Sequence, residues 1–154
     1  MRKIMTLGFI REGDKLLLGL KKRGFGMNRW NGFGGKLQEG ETITQAMIRE
    51  FNEECGVTVT KGEEFGVIDF EFRGKPDILE VHFFRVLEYS GTPTESEEMK
   101  PQWFSVKEIP FSQMWSDDPY WMPLFLAGKK FKGKIFFDEN DKVLKDDIKE
   151  VQKL

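Results

Sequence analysis

Apolar residues fall in short runs along this chain, and most of the runs come in pairs. Lys3 to Ile10 and Lys15 to Leu20 are joined by Arg11-Glu12-Gly13-Asp14, which predicts a hairpin. Phe65 to Arg73 and Ile78 to Glu88 predict a second, around Gly74-Lys75-Pro76-Asp77. Lys130 to Phe137 and Lys142 to Lys145 predict a third, over Glu139-Asn140-Asp141, and Gln102-Trp103-Phe104 reads as a short strand. Helical spacing occurs twice. From Thr42 to Cys55, Thr42 supplies a cap, Gln45 sits three residues on, and Gly56 stops the helix. Asp118-Pro119 opens another through Leu126, with Pro at the first helical position and Gly128 past the end. Lys145 to Lys153 reads as a solvated terminal segment. Strand pairs interleaved with two helices predict an α/β domain with a mixed, largely antiparallel sheet.

Composition sets the limits. The 154 residues suit one domain, spanning 1–154, with too little chain for two comfortable ones. With hydrophobic residues at 39% and charged residues at 32%, the chain can bury a core in water. Lys plus Arg total 24 against 26 Asp plus Glu, a net charge of -2, which excludes a broad basic surface for gripping a nucleic acid polymer. The single cysteine, Cys55, excludes an intramolecular disulfide and a multi-Cys zinc site. It lies beside Ile48 and Phe51 on the apolar side of the first helix and reads as packing. No apolar run approaches the roughly 20 residues of a membrane span. Ile4 to Ile10 follows Arg2 and Lys3 but runs into Arg11-Glu12-Gly13-Asp14 without a small-residue cleavage site, so it reads as a strand and not a signal peptide. A cytoplasmic, monomeric protein is the expectation.

The sharpest chemistry is Gly35-x5-Glu41-x7-Arg49-Glu50-Phe51-Asn52-Glu53-Glu54-Cys55-Gly56-Val57. On a helix Glu50, Glu53 and Glu54 are spaced i, i+3, i+4 and share one face. Ile43, Ala46 and Met47 make the earlier turns of that sector apolar, so the acids are expected to look into a concavity. Three carboxylates this close repel one another, and a hard divalent cation with oxygen ligands, Mg²⁺ first, neutralises them best. Gly35 and its neighbours can bring backbone carbonyls near such an ion, and Arg49 can orient a carboxylate through its guanidinium fork. A lone Glu-Glu pair is ordinarily a solvated face, but the full spacing matches by chance with a probability on the order of 10⁻⁹ per starting point.

Gly35 to Val57 matches every position of the Nudix box, Gx5Ex7REUxEExGU, where U is a bulky apolar residue. The chain is thus identified as resembling the Nudix hydrolases, which implies an α/β/α sandwich that hydrolyses a nucleoside diphosphate linked to another group. By the same resemblance Glu50, Glu53 and Glu54, with the Gly34 carbonyl region, hold Mg²⁺, Glu98 is an additional metal-binding acid, and one carboxylate, Glu50 in many members, helps to activate water.

Further segments resemble the animal MutT-type purine nucleoside triphosphatases within that family, over roughly Leu7 to Val143. They are Lys21-Lys22-Arg23-Gly24-Phe25-Gly26, Trp30-Asn31-Gly32-Phe33-Gly34-Gly35-Lys36, Phe70-Glu71-Phe72, Glu95 to Met99, and Met114-Trp115-Ser116-Asp117-Asp118 with Trp121. This implies hydrolysis of 8-oxo-dGTP and 2-oxo-dATP to monophosphate and diphosphate, which sanitises the nucleotide pool in the cytoplasm, nucleus or mitochondrion. Thr6, Lys21 and Phe137 match pocket-lining positions of these enzymes, and Phe33, Gly34, Gly35, Lys36 and Ser116 fall in their substrate segments.

The residues carry their own physical reading. Trp115 offers a face on which a purine can stack, with Phe25, Phe70, Phe72 and Trp121 as walls. Asn31 has a donor and an acceptor on one amide, suited to a base edge. Asp117 and Asp118 cannot both ionise easily in an enclosed pocket, so at least one should keep its proton and donate. Singly, each residue has a plainer role: either Asp can cap the helix that Pro119 opens, the aromatics can be core, Asn31 can be a turn residue, and Lys21-Lys22-Arg23 can be a solvated edge. His82, in a strand, is given no catalytic part. Ser116 stands where vertebrate members often have Pro, which should loosen the turn. Leu79 replaces a pocket Met, and Met27-Asn28 replaces small residues. A Nudix hydrolase of another nucleotide, or a sensor that binds without turnover, remains the alternative.

Overall fold

A computed structural model describes residues 1–154. Eight strands and two helices follow in the order β1 (Arg2–Glu12), β2 (Lys15–Lys21), β3 (Trp30–Asn31), α1 (Ile43–Cys55), β4 (Thr58–Phe72), β5 (Ile78–Ser90), β6 (Met99–Ser105), α2 (Asp118–Leu126), β7 (Lys130–Phe137) and β8 (Val143–Val151). A single 3₁₀ turn, Phe111–Gln113, precedes α2. The strand order is β3-β2-β1-β5-β4-β7-β8, with β6 also paired to β2. The pairs β1–β5 and β4–β7 are parallel and the others antiparallel, the mixed and largely antiparallel sheet read from the sequence.

Alternation along the strands sends side chains to two cores. Phe9, Phe83, Phe131 and Ile135 meet Trp121 and Phe125 of α2 on one face. Ile10, Leu17, Phe84 and Val86 meet Met47 and Phe51 of α1 on the other. Helices on both faces make the α/β/α sandwich. The local signals act as expected in α1: Thr42 Oγ1 accepts from Gln45 N, the Gln45 side chain accepts from Thr42 N, and Gly56 closes the helix at φ +75°.

Strand lengths differ from the sequence expectation, always by extension. β4 starts at Thr58 and not Phe65, because its polar first half pairs with β5 through three register shifts. β6 starts at Met99, where seven residues of β2 offer it partners. The expected solvated segment after Lys145 is instead the body of β8, hydrogen-bonded to β7 out to Val151. Its dense charges are those of an edge strand, which presents few apolar positions and resists further pairing.

Candidate active site

The site begins where a glycine loop fills the open edge of β1. Thr6 N donates to Gly35 O at 2.9 Å, Gly8 N to Phe33 O at 2.7 Å, and Phe33 N to Gly8 O at 2.9 Å. Only glycine can come this close: a Cβ on Gly34 would lie 1.8 Å from the Thr6 carbonyl oxygen, and one on Gly32 2.7 Å from that of Gly8. The Phe33 and Gly35 carbonyls are spent on β1, which leaves the Gly34 carbonyl outside the ladder. The Gly34 amide donates to Glu54 Oε1 at 2.9 Å and ties the loop to α1.

The acids on α1 separate in depth. Glu54 is 2% exposed, and burial pushes its carboxyl up to about 8, against the Gly34 amide and Lys21 and with help from Glu50 and Glu98. Glu50 is mostly buried and also raised, by burial, with Glu53 and Glu98 adding to it and Arg49 opposing. Arg49 is the hub of this corner. Its Nε and Nη2 grip both oxygens of Glu41 at 2.7 and 3.0 Å, Nη2 donates to the Lys36 carbonyl, and Nη1 donates to Glu50 and Glu53 at 2.9 and 3.2 Å. The expectation that all three acids look into a concavity holds for Glu54, while Glu50 is mostly buried against Arg49. Glu53, 56% exposed, turns outward toward Arg49, so the three side chains are not gathered into one ligand sphere. Glu98 approaches from the other side, 3.9 Å from Lys21 and 3.7 Å from Arg23.

Beside Glu54 opens a cavity of about 230 Å³. Aromatic rings wall its mouth: Phe25 lies 5.0 Å from Trp115 and 6.2 Å from Phe72, and Phe72 stacks on Phe137 at 5.0 Å. Phe70, Leu79, Val81 and Phe83 form one side, and Thr6, Asn31, Asp117 and Asp118 bring polar atoms to it. Asn31 Oδ1 accepts from Gly32 N at 2.8 Å, which leaves the amide nitrogen to donate. Asp117 does not cap α2; its Oδ2 accepts from Trp121 Nε1 at 2.8 Å. Both Asp side chains are almost fully buried. Burial raises Asp117, and raises Asp118 well above the carboxylate range, the neighbouring charge and hydrogen bond of Asp117 adding to it. Two carboxyls buried side by side resist double ionisation, so the pair retains a proton. Thr6 Oγ1 and Asp118 Oδ2 are buried with no partner in the protein. Each such group costs about 1–3 kcal/mol unless a ligand satisfies it.

Residues 1–125 match the NUDIX domain. The chain is 50% identical over 149 residues to the oxidized purine nucleoside triphosphate hydrolase of Mus musculus, covering 97% of this chain and 96% of the relative. Identity to the protein of the same name in Danio rerio is 49% over 152 residues, with 99% and 97% covered. The chain belongs to the Nudix family. Among solved structures, a MutT protein from Bacillus halodurans has the same fold at a TM-score of 0.81, with 23% identity and 95% and 97% of the two chains covered. Nudix hydrolases generally need a divalent metal, and the donors here suit one: mutually repelling carboxylates with upward-shifted protonation beside a spare backbone carbonyl.

Most residues expected to bind substrate line this cavity: Thr6, Lys21, Phe25, Asn31, Gly34, Gly35, Lys36, Phe70, Phe72, Trp115, Asp117, Asp118 and Phe137; of the expected metal-binding acids, Glu54 alone does. Three of the expected substrate residues do not. Phe33 is fully buried against Phe51 at 4.9 Å, because its side chain points to the α1 core while its backbone holds β1. Trp121 is fully buried and touches the cavity wall from behind, bonding Asp117 and packing on Phe83 at 4.5 Å. Ser116 turns away to donate its hydroxyl to the Asp141 carbonyl at 2.7 Å, so the expected loosening of the turn is replaced by a tether. Val81 and Phe83 were missed, although the period of two from Leu79 puts them on the same face. Met5 and Leu7 also line the cavity, and nothing local marks them; Met99, at the end of the Glu95 segment, joins them.

Proposed function

We propose that this protein hydrolyses oxidised purine nucleoside triphosphates, such as 8-oxo-dGTP and 2-oxo-dATP, to the monophosphate and diphosphate with Mg²⁺. The single observation that carries the reading is the pair of unpartnered polar atoms, Thr6 Oγ1 and Asp118 Oδ2, inside an aromatic-walled cavity that adjoins Glu54. A purine fills that space: its faces suit Trp115 and the phenylalanines, and its edge suits the Asn31 amide and the Asp117-Asp118 pair with its retained proton. An acid that donates beside one that accepts can meet purine tautomers of opposite pattern. The names of the mouse and zebrafish relatives support the same substrate class.

In this reading the triphosphate extends from the base toward Gly34 and α1. Glu50, Glu53 and Glu54, the Gly34 carbonyl and Glu98 would hold Mg²⁺, which supplies charge neutralisation and a polarised water. Glu50, braced by Arg49, accepts the proton of the attacking water. Lys21 and Lys36, at the cavity wall, attract phosphate oxygens. The protein acts in the cytoplasm as a monomer.

A Mg²⁺-dependent panel of oxidised, methylated and normal purine triphosphates tests the proposal, with product analysis. The oxidised purines should show the highest kcat/KM. In Asn31→Ala and Asp117→Asn, the ratio of kcat/KM for 8-oxo-dGTP over dGTP should fall by about tenfold or more, the cost of one base-edge contact. A preference for a dinucleoside polyphosphate or a sugar nucleotide, or an unchanged ratio in both variants, would overturn the base-recognition reading.

A further inference from the structure

Arg29 does not line the cavity and takes no part in the acid cluster, yet its guanidinium carbon lies 4.1 Å from the centre of the Trp115 ring. The same guanidinium donates through Nη2 to Asp141 Oδ2 at 3.1 Å. Asp141 sits at the tip of the β7–β8 hairpin in a left-handed conformation, φ +61°. Its carbonyl accepts the Ser116 hydroxyl at 2.7 Å. Asp138 holds the tip in shape by accepting from Asn140 N and Lys142 N at 2.8 and 2.9 Å. Three segments far apart in sequence thus close around the indole: the loop before β3, the Trp115-Ser116 turn, and the hairpin tip.

The residue types fit this use. Arginine's planar fork can lie on an aromatic face and donate to a carboxylate at the same time, whereas a lysine ammonium is a single point of charge. Both partners are about a third exposed, 32% and 34%, so the ion pair by itself adds little stability. Its consequence lies in where it puts the indole.

We infer that Arg29 and Asp141 are positioning residues for base recognition, holding Trp115 from outside so that its cavity side is presented to the purine. The inference rests on the proposed purine triphosphatase activity and adds to it a specificity device outside the pocket wall. No chemistry passes through either residue, so their loss should act on KM and spare kcat.

The test uses the full chain with Mg²⁺ and 8-oxo-dGTP, comparing wild type, Arg29→Ala, Arg29→Lys, Asp141→Asn and the Arg29→Ala/Asp141→Asn double variant. In Arg29→Ala, KM should rise roughly three- to tenfold while kcat stays within about twofold, as expected for losing a partly desolvated cation–π contact. Lysine should restore only part of the affinity. The double variant should be little worse than Arg29→Ala, because the two residues act through one another. Asp141→Asn, nearly isosteric at a turn tip, keeps the test decisive if Arg29→Ala folds poorly. An unchanged KM in Arg29→Ala and Asp141→Asn, a loss confined to kcat, or full additivity would overturn the inference. A wild type that hydrolyses no oxidised purine triphosphate would instead overturn the functional reading, so the two failures are separable.

Discussion

His82 is the only histidine, and its surroundings fix its charge. Its side chain points away from the nucleotide cavity, with Nδ1 2.8 Å from Glu64 Oε1 and Nε2 2.6 Å from Glu80 Oε2. Arg2 of β1, bonded to Asp69 and Glu80, and Lys132 of β7 complete the charged ring about it. Burial alone would lower its pKa, but the two carboxylates outweigh burial and raise it above 6.5. The folded state therefore keeps a proton that the unfolded chain releases. The resulting stability is complete below pH 6.5 and is lost as pH rises through the elevated folded value. Melting temperatures measured from about pH 6 to about pH 9 should fall less steeply in His82→Asn than in wild type. Equal slopes would mean that the triad adds no pH-dependent stability.

At the scale of elements, the decisive contact is the seam between β1 and the glycine loop. It fixes the Thr6 side chain in the cavity, leaves the Gly34 carbonyl spare, and aims the Gly34 amide at Glu54. Gly34→Ala would press a Cβ to 1.8 Å from the Thr6 oxygen, a backbone obstacle that cannot rotate away. The seam must open. Faster hydrogen exchange at the Thr6 and Gly8 amides is expected, together with loss of turnover. Native-like protection of those amides in Gly34→Ala would show that the loop can shift without parting from β1.

Across the whole molecule, α1 is built to be a good helix and a poor home for its own acids. Its capping box and apolar stripe hold it on the sheet, while Glu54 lies at the bottom of the site with its carboxyl pushed up to about 8. Function and stability therefore conflict at this residue. Glu54→Gln keeps an oxygen for the Gly34 amide and removes the charge. Without divalent cation it should melt above wild type, and with Mg²⁺ it should have lost most turnover. Mg²⁺ should raise the melting temperature of wild type more than that of the variant, as a ligand of the native state does. Near-normal turnover in Glu54→Gln would count heavily against the metal assignment.

The sequence by itself determined whatever depends on neighbours a few residues apart. The spacing of Glu50, Glu53 and Glu54, the Thr42–Gln45 box, the Gly56 stop and the three hairpin turns are local, and each appears where the pattern put it. Only the tertiary structure decided the features that need a distant partner. Pairing with β5 and β7 drew Thr58–Glu64 and Lys145–Val151 into strands, since backbone hydrogen bonds to an existing strand can outweigh weak local preference. The Asp141 carbonyl captured the Ser116 hydroxyl, 25 residues away. Arg29 came to rest on Trp115 because a hairpin more than a hundred residues away supplied its carboxylate. Spacing along a helix fixes which side chains share a face; their depth, direction and charge are fixed by what the rest of the chain brings against that face.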